Sequence, residues 1–96
     1  MSLTIHTKPG CKYCDLSKSF LQQKNIPFEI VNYDPLLSTY ETDKMALMNK
    51  TNHYTFPQIF IDQNFIGGYT ELMNAYDTCK LHELCHAIGI TIEYDF

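Results

Sequence analysis

The stretch LTIHTKPGCKYC (residues 3–14) decides the fold of this chain. Its first half, Leu3 to Thr7, alternates apolar and polar residues and predicts a β-strand. The pair Pro9-Gly10 ends that pattern, and a helical pattern begins at Cys11. The CxxC pair is therefore placed at the start of a helix. Because a helix N-terminus stabilises the charged form of a thiol, the pair is typical of a dithiol redox centre.

Composition bounds the class of protein. The chain has 96 residues, 45% of them hydrophobic and 14% aromatic, so we predict one small domain, residues 1–96, with a real core. The formal net charge is −4, which argues against nucleic acid as a partner, since that role needs a basic face. The local charge differs, because Lys8 and Lys12 flank Cys11. Such a basic pocket suits a small anionic ligand.

The first residues carry no signal-peptide pattern, because residues 1–4 run directly into the first strand. The apolar runs are also too short to span a membrane. We therefore expect a cytoplasmic protein with no membrane partner. In a reducing compartment, a CxxC pair is more often catalytic or metal-binding than a structural disulfide.

Strand and helix patterns alternate along the rest of the chain. The first helix carries Tyr13, Leu16, Phe20 and Leu21 on one face. Residues 90–96 have a period of two and predict an extra edge strand, a packed extension or a loose terminus. The order of elements predicts an α/β, three-layer sandwich with a mixed, four-stranded sheet flanked by helices. The predicted strands cover residues 3–7, 28–32, 57–61 and 65–66, and the predicted helices cover about residues 11–24, 40–49, 70–76 and 81–88.

Three separated segments carry a family resemblance: KPGCKYC (residues 8–14), TFPQIFI (residues 55–61) and GGYTEL (residues 67–72). In this order they are similar to the motifs of a dithiol glutaredoxin, within the thioredoxin-fold superfamily. The resemblance covers roughly residues 2–89 and implies a thioredoxin-like fold. The chain differs from the family pattern in carrying Lys12 where proline is usual and Phe56 where valine is usual.

The two cysteines are the predicted catalytic residues. Cys11 is the candidate nucleophile, because the helix N-terminus, Lys8 and Lys12 all favour its thiolate, and we expect its sulfur to be exposed beside a groove. Cys14 lies about one helical turn further and is the candidate resolving thiol. The resemblance also permits a monothiol route, in which Cys14 only packs.

The resemblance further implies a groove that binds glutathione as the reductant. Pro57 is expected to be a cis-proline opposite Cys11, with the backbone of Phe56 free to pair with an extended peptide. The amides after the Gly67-Gly68 turn are expected to bind a carboxylate at the start of a helix. Lys8 is a candidate for the other carboxylate of glutathione. The predicted glutathione-binding residues are Lys8, Tyr13, Thr55, Phe56, Pro57, Gly68, Tyr69 and Thr70.

Several of these positions keep a plainer interpretation. Lys12 is equally well a solvated lysine, and Tyr13 could pack on the first helix. Thr70 could act only as a helix cap, with Glu71 in the first turn. His53 lies where a relative could carry a basic residue of the groove, but a surface histidine explains it as well.

The segment HELCH (residues 82–86) matches the two-histidine motif of zinc metalloproteases. We expect no metal there, because Leu81, Leu84, Cys85 and Ile88 form the core-facing stripe and the two histidines should face outward. We interpret Cys79 and Cys85 as helix or core thiols. If Cys79 is exposed, its thiol is open to oxidation.

The resulting hypothesis is a glutathione-dependent thiol–disulfide oxidoreductase, active as a monomer on disulfide-containing or glutathionylated proteins, with no metal. The resemblance leaves one alternative, a dimer that holds a two-iron, two-sulfur cluster between two Cys11 thiolates and two glutathiones. A zinc module is a third, poorly supported possibility, because a closed zinc site needs four ligands and the chain has no second CxxC pair.

Overall fold

The computed structural model describes residues 2–93. Its elements match the predicted order, with ends that differ by at most two residues. Cys11 has extended backbone angles and is the N-cap of the first helix rather than its first residue. The elements are β1 (Leu3–Thr7), α1 (Lys12–Gln23), β2 (Glu29–Asn32), α2 (Tyr40–Thr51), β3 (Gln58–Ile61), β4 (Asn64–Gly67), α3 (Tyr69–Asp77) and α4 (Lys80–His86).

The four strands form one mixed sheet in the order β2-β1-β3-β4. β1 and β2 are parallel and are joined through α1, as a short strand–helix–strand crossover requires. β3 is antiparallel to both β1 and β4, with Ile5 opposite Ile59 and Phe60 opposite Phe65. The predicted α/β fold with a mixed, four-stranded sheet is confirmed.

The alternation of strand residues divides the core between the two faces of the sheet. Ile59 and Ile61 join a cluster with Leu21 of α1 and Leu72 of α3. Phe60, on the other face, joins a second cluster that contains Leu47 and Met48 of α2 and both residues of the CxxC pair. Full burial of each large aliphatic side chain contributes about 1.5–3 kcal/mol, so both helix layers are firmly held. The second cluster ties the cysteines to the core.

The buried face of α1 differs from the predicted one. Cys14, Ser17 and Leu21 are its buried residues, whereas Tyr13 is 53% exposed and Leu16 is 39% exposed. Ser17 tolerates burial because its hydroxyl donates to the carbonyl oxygen of Tyr13 at 2.8 Å. The pattern of large apolar residues was misleading here, because Tyr13 lines a groove instead of the core.

The expectation that both histidines of HELCH face outward is wrong for one of them. His86 is exposed, but His82 is only 5% exposed and its ring lies 5.0 Å from that of Tyr76. The reason is that α4 buries Leu81, His82 and Cys85, a face shifted from the predicted stripe. Among residues 2–93, no three His, Cys, Asp or Glu side chains are grouped so that they could hold a metal ion.

The tail forms a packed extension over its described part. Residues 90–93 have no regular secondary structure, and Ile92 is 5% exposed within the first core cluster. Residues 94–96 lie outside the described part of the chain, so the prediction for them is not addressed. Within residues 2–93, we find no helix with the length and apolar character needed to cross a bilayer.

Candidate active site

The CxxC pair lies at the N-terminus of α1, and its two sulfurs are in disulfide contact. The Cα atoms of Cys11 and Cys14 are 5.2 Å apart. As the N-cap residue, Cys11 accepts a hydrogen bond through Sγ from the backbone N–H of Cys14, at 3.2 Å. The same arrangement places the positive end of the α1 dipole at the Cys11 sulfur, which favours a thiolate there once the disulfide is reduced.

The two cysteines differ in access to solvent. Cys14 is completely buried, whereas Cys11 retains 9% exposure. Cys11 is therefore less open than the sequence led us to expect, because it is bonded to Cys14 and lies 3.7 Å from the carbonyl oxygen of Phe56. An external disulfide can still approach Cys11 more readily than Cys14. This difference fits Cys11 as nucleophile and Cys14 as resolving thiol.

A groove of about 490 Å³, which we call the reaction groove, adjoins this pair. One wall comes from Tyr13 and Tyr69, whose ring centroids are 5.6 Å apart. Every predicted binding residue except Lys8 lines it. Lys8 lies exposed in the loop after β1 and is not among the lining residues. The residues of the groove are Tyr13, His53, Thr55, Phe56, Pro57, Gly68, Tyr69, Thr70 and Glu71.

The peptide bond between Phe56 and Pro57 is cis, as expected. Phe56 is packed from behind by Tyr33, with ring centroids 5.2 Å apart. The hydroxyl of Tyr33 forms a hydrogen bond with Nδ1 of His6 at 3.0 Å. Burial lowers the pKa of His6, with a smaller contribution from the charge of Lys50. Burial also raises the pKa of Tyr33. Both side chains are therefore neutral near pH 7 and support the cis-proline segment through packing and one hydrogen bond.

The loop before the cis-proline is held by Gln58, a residue that the sequence did not single out. Its side chain is completely buried and its amide nitrogen donates to the carbonyl oxygens of His53, at 2.6 Å, and Thr55, at 3.3 Å. The amide oxygen accepts from the hydroxyl of Thr51 at 2.8 Å. Within this loop, Thr55 Oγ1 and His53 Nε2 are 3.1 Å apart. These bonds fix the side of the groove that faces α3.

The start of α3 forms the opposite side. Gly68 is the N-cap, and its N–H donates to the carboxylate of Glu71 at 2.7 Å. Tyr69 and Thr70 are the first residues of the helix, where backbone N–H groups have no partner within the helix itself. A Cβ on Gly68 would lie 3.3 Å from the carbonyl oxygen of Pro57, a tight contact that a glycine avoids. Glu71 places a negative charge beside two N–H donors.

Glu71 was not predicted as a lining residue of the groove, and the role of His53 was left open. Glu71 could have been found from its spacing, because a residue three positions after an N-cap often bonds back to the cap. His53 could not be placed from a local pattern, since it reaches the groove only after β3 and α3 pack together.

A thioredoxin-like sheet with a dithiol pair at the N-terminus of α1 and a cis-proline beside it defines the class of thioredoxin-fold redox proteins. Comparison with known proteins narrows this class. Residues 3–66 match the sequence model of the family described as Glutaredoxin. The chain is 31% identical over 83 residues to Glutaredoxin 1 of Rickettsia prowazekii, covering 86% of this chain and 85% of that protein. The chain belongs to the glutaredoxin family.

Longer relatives and solved structures agree with this assignment. The chain is 32% identical over 84 residues to human "Glutaredoxin-2, mitochondrial", covering 88% of this chain and 51% of that protein. It thus spans about half the length of the Glutaredoxin-2 relatives it matches. The solution structure of the Brucella melitensis glutaredoxin, 31% identical, has a TM-score of 0.72 and covers 88% of this chain and 87% of that one. The buckwheat glutaredoxin–glutathione complex, 24% identical, has a TM-score of 0.84 over 94% of this chain and 81% of that one, and shows the shared fold.

Proposed function

We propose that this chain is a glutathione-dependent thiol–disulfide oxidoreductase that reduces protein disulfides and glutathionylated cysteines. One observation carries the proposal. The more accessible cysteine of the pair is also the N-cap of α1 and adjoins a groove whose other walls are a cis-proline and the start of α3.

In the first step, the Cys11 thiolate attacks the glutathione sulfur of a glutathionylated protein. A bond forms between the sulfurs of Cys11 and glutathione, the disulfide bond between the glutathione sulfur and the protein's cysteine sulfur breaks, and the protein leaves as a thiolate that takes a proton from water. In the second step, the thiolate of a free glutathione attacks the bound one, giving glutathione disulfide and restoring Cys11. With a protein disulfide, Cys14 instead attacks the mixed disulfide with Cys11, releasing the second protein thiol and closing the Cys11–Cys14 bond.

The charges of the reaction groove support glutathione as the ligand. Its γ-glutamyl end carries both a carboxylate and an ammonium group. The N–H groups of Tyr69 and Thr70 suit the carboxylate, and the carboxylate of Glu71 suits the ammonium group. The backbone of Phe56 suits the extended peptide part of the ligand. A solved protein of the same fold, from buckwheat, is itself a complex with glutathione.

The test is a glutathione-coupled assay with a glutathionylated substrate. We expect Cys11→Ser to lower kcat/KM by at least about a thousandfold, because it removes the nucleophile. Cys79→Ser is the matched control, since it makes the same chemical change at a half-buried position that does not line the reaction groove. Full activity in Cys11→Ser would overturn the proposal.

The cluster-binding alternative has a separate test. A cluster held by cysteine needs four sulfur ligands, and no group of three candidate metal ligands exists among residues 2–93, so ligands from a second chain or from glutathione would have to complete it. Anaerobic reconstitution with iron, sulfide and glutathione distinguishes the two functions. A coloured dimer supports the alternative, and a colourless monomer removes it.

A further inference from the structure

A second groove, with a volume of about 710 Å³, lies between β4, α3 and α4. We call it the β4–α3 groove. Its apolar lining consists of Phe65, Ile66, Ala75 and Leu84. This volume is within the range of about 300–1,000 Å³ that is typical of ligand pockets, and it exceeds the volume of the reaction groove.

The two grooves adjoin each other at the beginning of α3. Thr70 and Glu71 line both of them. A polypeptide whose cysteine is bonded at Cys11 can therefore continue past these two residues into the β4–α3 groove. The larger groove is a continuation of the place where the proposed reaction occurs.

The groove follows the open edge of the sheet. It is lined by Asn64, Phe65 and Ile66, three consecutive residues of β4. Because side chains alternate between the two faces of a strand, three consecutive residues can line one cavity only where that cavity runs along the strand edge. β4 pairs with β3 on one side and is the last strand of the sheet on the other. Edge strands of this kind bind extended peptides through main-chain hydrogen bonds.

The opposite side of the groove is polar, and Glu71 and Lys80 add one charge of each sign to it. Asn74 and Thr78 lie one turn apart on the same face of α3, and both line the groove. The amide of Asn74 can bond to the main chain of a ligand, and the hydroxyl of Thr78, which donates to the carbonyl oxygen of Asn74 at 2.9 Å, can still accept a hydrogen bond. A purely apolar partner would leave the side-chain amide of Asn74 without a hydrogen bond from the ligand, and a small molecule would leave most of the edge strand uncovered.

We propose that the β4–α3 groove binds an extended segment of the protein substrate, next to its reacting cysteine, as an added strand on β4. The segment carries aliphatic side chains, which contact Ile66, Ala75 and Leu84. This inference rests on the proposed function, since the groove serves the reaction at Cys11. Small disulfides do not reach the groove, so it selects among protein substrates.

The experiment compares two disulfides that react directly with Cys11, a small symmetric disulfide without a peptide and the symmetric disulfide of a short peptide with valine and leucine beside its cysteine. Asn74→Trp fills the groove from an exposed position. Asp77→Trp is the matched control, because it is exposed on the same helix but does not line either groove. We expect Asn74→Trp to raise KM for the peptide at least fivefold, a change of about 1 kcal/mol, and to leave kcat/KM for the small disulfide within twofold. Asp77→Trp should leave both unchanged.

A second comparison tests the strand pairing without altering the protein. A peptide with N-methyl groups at alternate flanking residues cannot donate hydrogen bonds to β4. On the wild-type protein its KM should therefore exceed that of the unmethylated peptide, whereas on Asn74→Trp the methyl groups should raise KM no further. Equal effects of Asn74→Trp on both substrates, or no effect on either, would overturn the proposal. Binding of a second copy of this chain in the groove would also overturn the proposal. In that case Asn74→Trp would leave the KM for the peptide unchanged, and it would dissociate a dimer that sedimentation detects in the wild-type protein. Failure of the proposed function looks different, because the wild-type protein would then reduce neither substrate.

Discussion

Gly67→Ala is the substitution that tests the geometry of the site most directly. Gly67 has a φ of +131°, a conformation that residues with a side chain rarely adopt. A Cβ at this position would lie 2.5 Å from Cγ of Glu71 and 2.7 Å from its Oε1. The backbone conformation costs about 1–3 kcal/mol for a residue other than glycine. Displacing Glu71 also breaks its hydrogen bond to the N–H of Gly68, at about 1 kcal/mol.

We therefore expect Gly67→Ala to lower the free energy of unfolding by about 2–4 kcal/mol, measured by urea denaturation of the reduced protein. Gly89→Ala is the control, because Gly89 also has a positive φ, +84°, but has nothing within 4 Å of the added Cβ. The free energy of unfolding of Gly89→Ala should fall only by the cost of the backbone conformation, about 1–2 kcal/mol. Because Glu71 also lines the reaction groove, only Gly67→Ala should raise KM for glutathione.

The contribution of Glu71 can be isolated with a double-mutant cycle. In a Glu71→Ala background the hydrogen bond to Gly68 is already absent, although the Cβ of residue 71 would still lie 2.6 Å from the added methyl group, so Gly67→Ala should cost about 1 kcal/mol less there than in the wild type. A cost for Gly67→Ala no greater than that for Gly89→Ala, with no coupling to position 71, would refute the reasoning.

Three other expectations follow from the same geometry. Cys14→Ser should still turn over a glutathione mixed disulfide but should no longer form an intramolecular disulfide, which mass spectrometry of the oxidised product checks. Loss of both activities in Cys14→Ser would contradict this. Burial raises the pKa of Cys85 from 9.0 to about 11, so its contribution to stability is complete below pH 9 and is lost as the pH rises towards 11, by up to about 2 kcal/mol. Urea denaturation at pH 8 and pH 10.5 checks this, with Cys85→Val expected to flatten the difference. NMR titration should find the pKa of His6 below 6.5, and Lys50→Met should raise it, whereas Lys44→Met should not.

The sequence predicted the parts of the molecule that depend on local pattern. The alternation of residues 3–7, the Pro9-Gly10 break and the CxxC pair were enough to place β1, α1 and the dithiol. The residues around Pro57 and Gly68 were found through their motifs, and the structure brings them together in one groove. The order of the elements and the mixed sheet are confirmed, although β2 is exposed and β3 is buried throughout, so neither strand shows alternating burial.

The errors arose where tertiary contacts override local pattern. Tyr13 and Leu16 have the spacing of core residues, but the buried face of α1 is centred on Ser17, whose hydroxyl is satisfied within the helix. His82 is buried together with Leu81 and Cys85, on a face of α4 that the spacing of its apolar residues alone does not predict. Gln58 was missed because it acts through three hydrogen bonds, with Thr51, His53 and Thr55, that form only when the chain is folded. The cytoplasmic location, the monomeric state and the role of Lys8 stay predictions.

Cys11 is both the candidate nucleophile and the N-cap of α1, and this has a practical consequence for capturing substrates. Serine is among the residues most strongly preferred at a helix N-cap, and its hydroxyl can accept from the N–H of residue 14 as the sulfur does now. Cys11→Ser is thus an inactive protein whose helix start is intact. The complementary protein, Cys14→Ser, leaves a nucleophile that bonds to a client and has no neighbour to release it. With Cys14→Ser as the trapping variant and Cys11→Ser as the negative control, substrates bound through a disulfide can be distinguished from proteins that bind non-covalently.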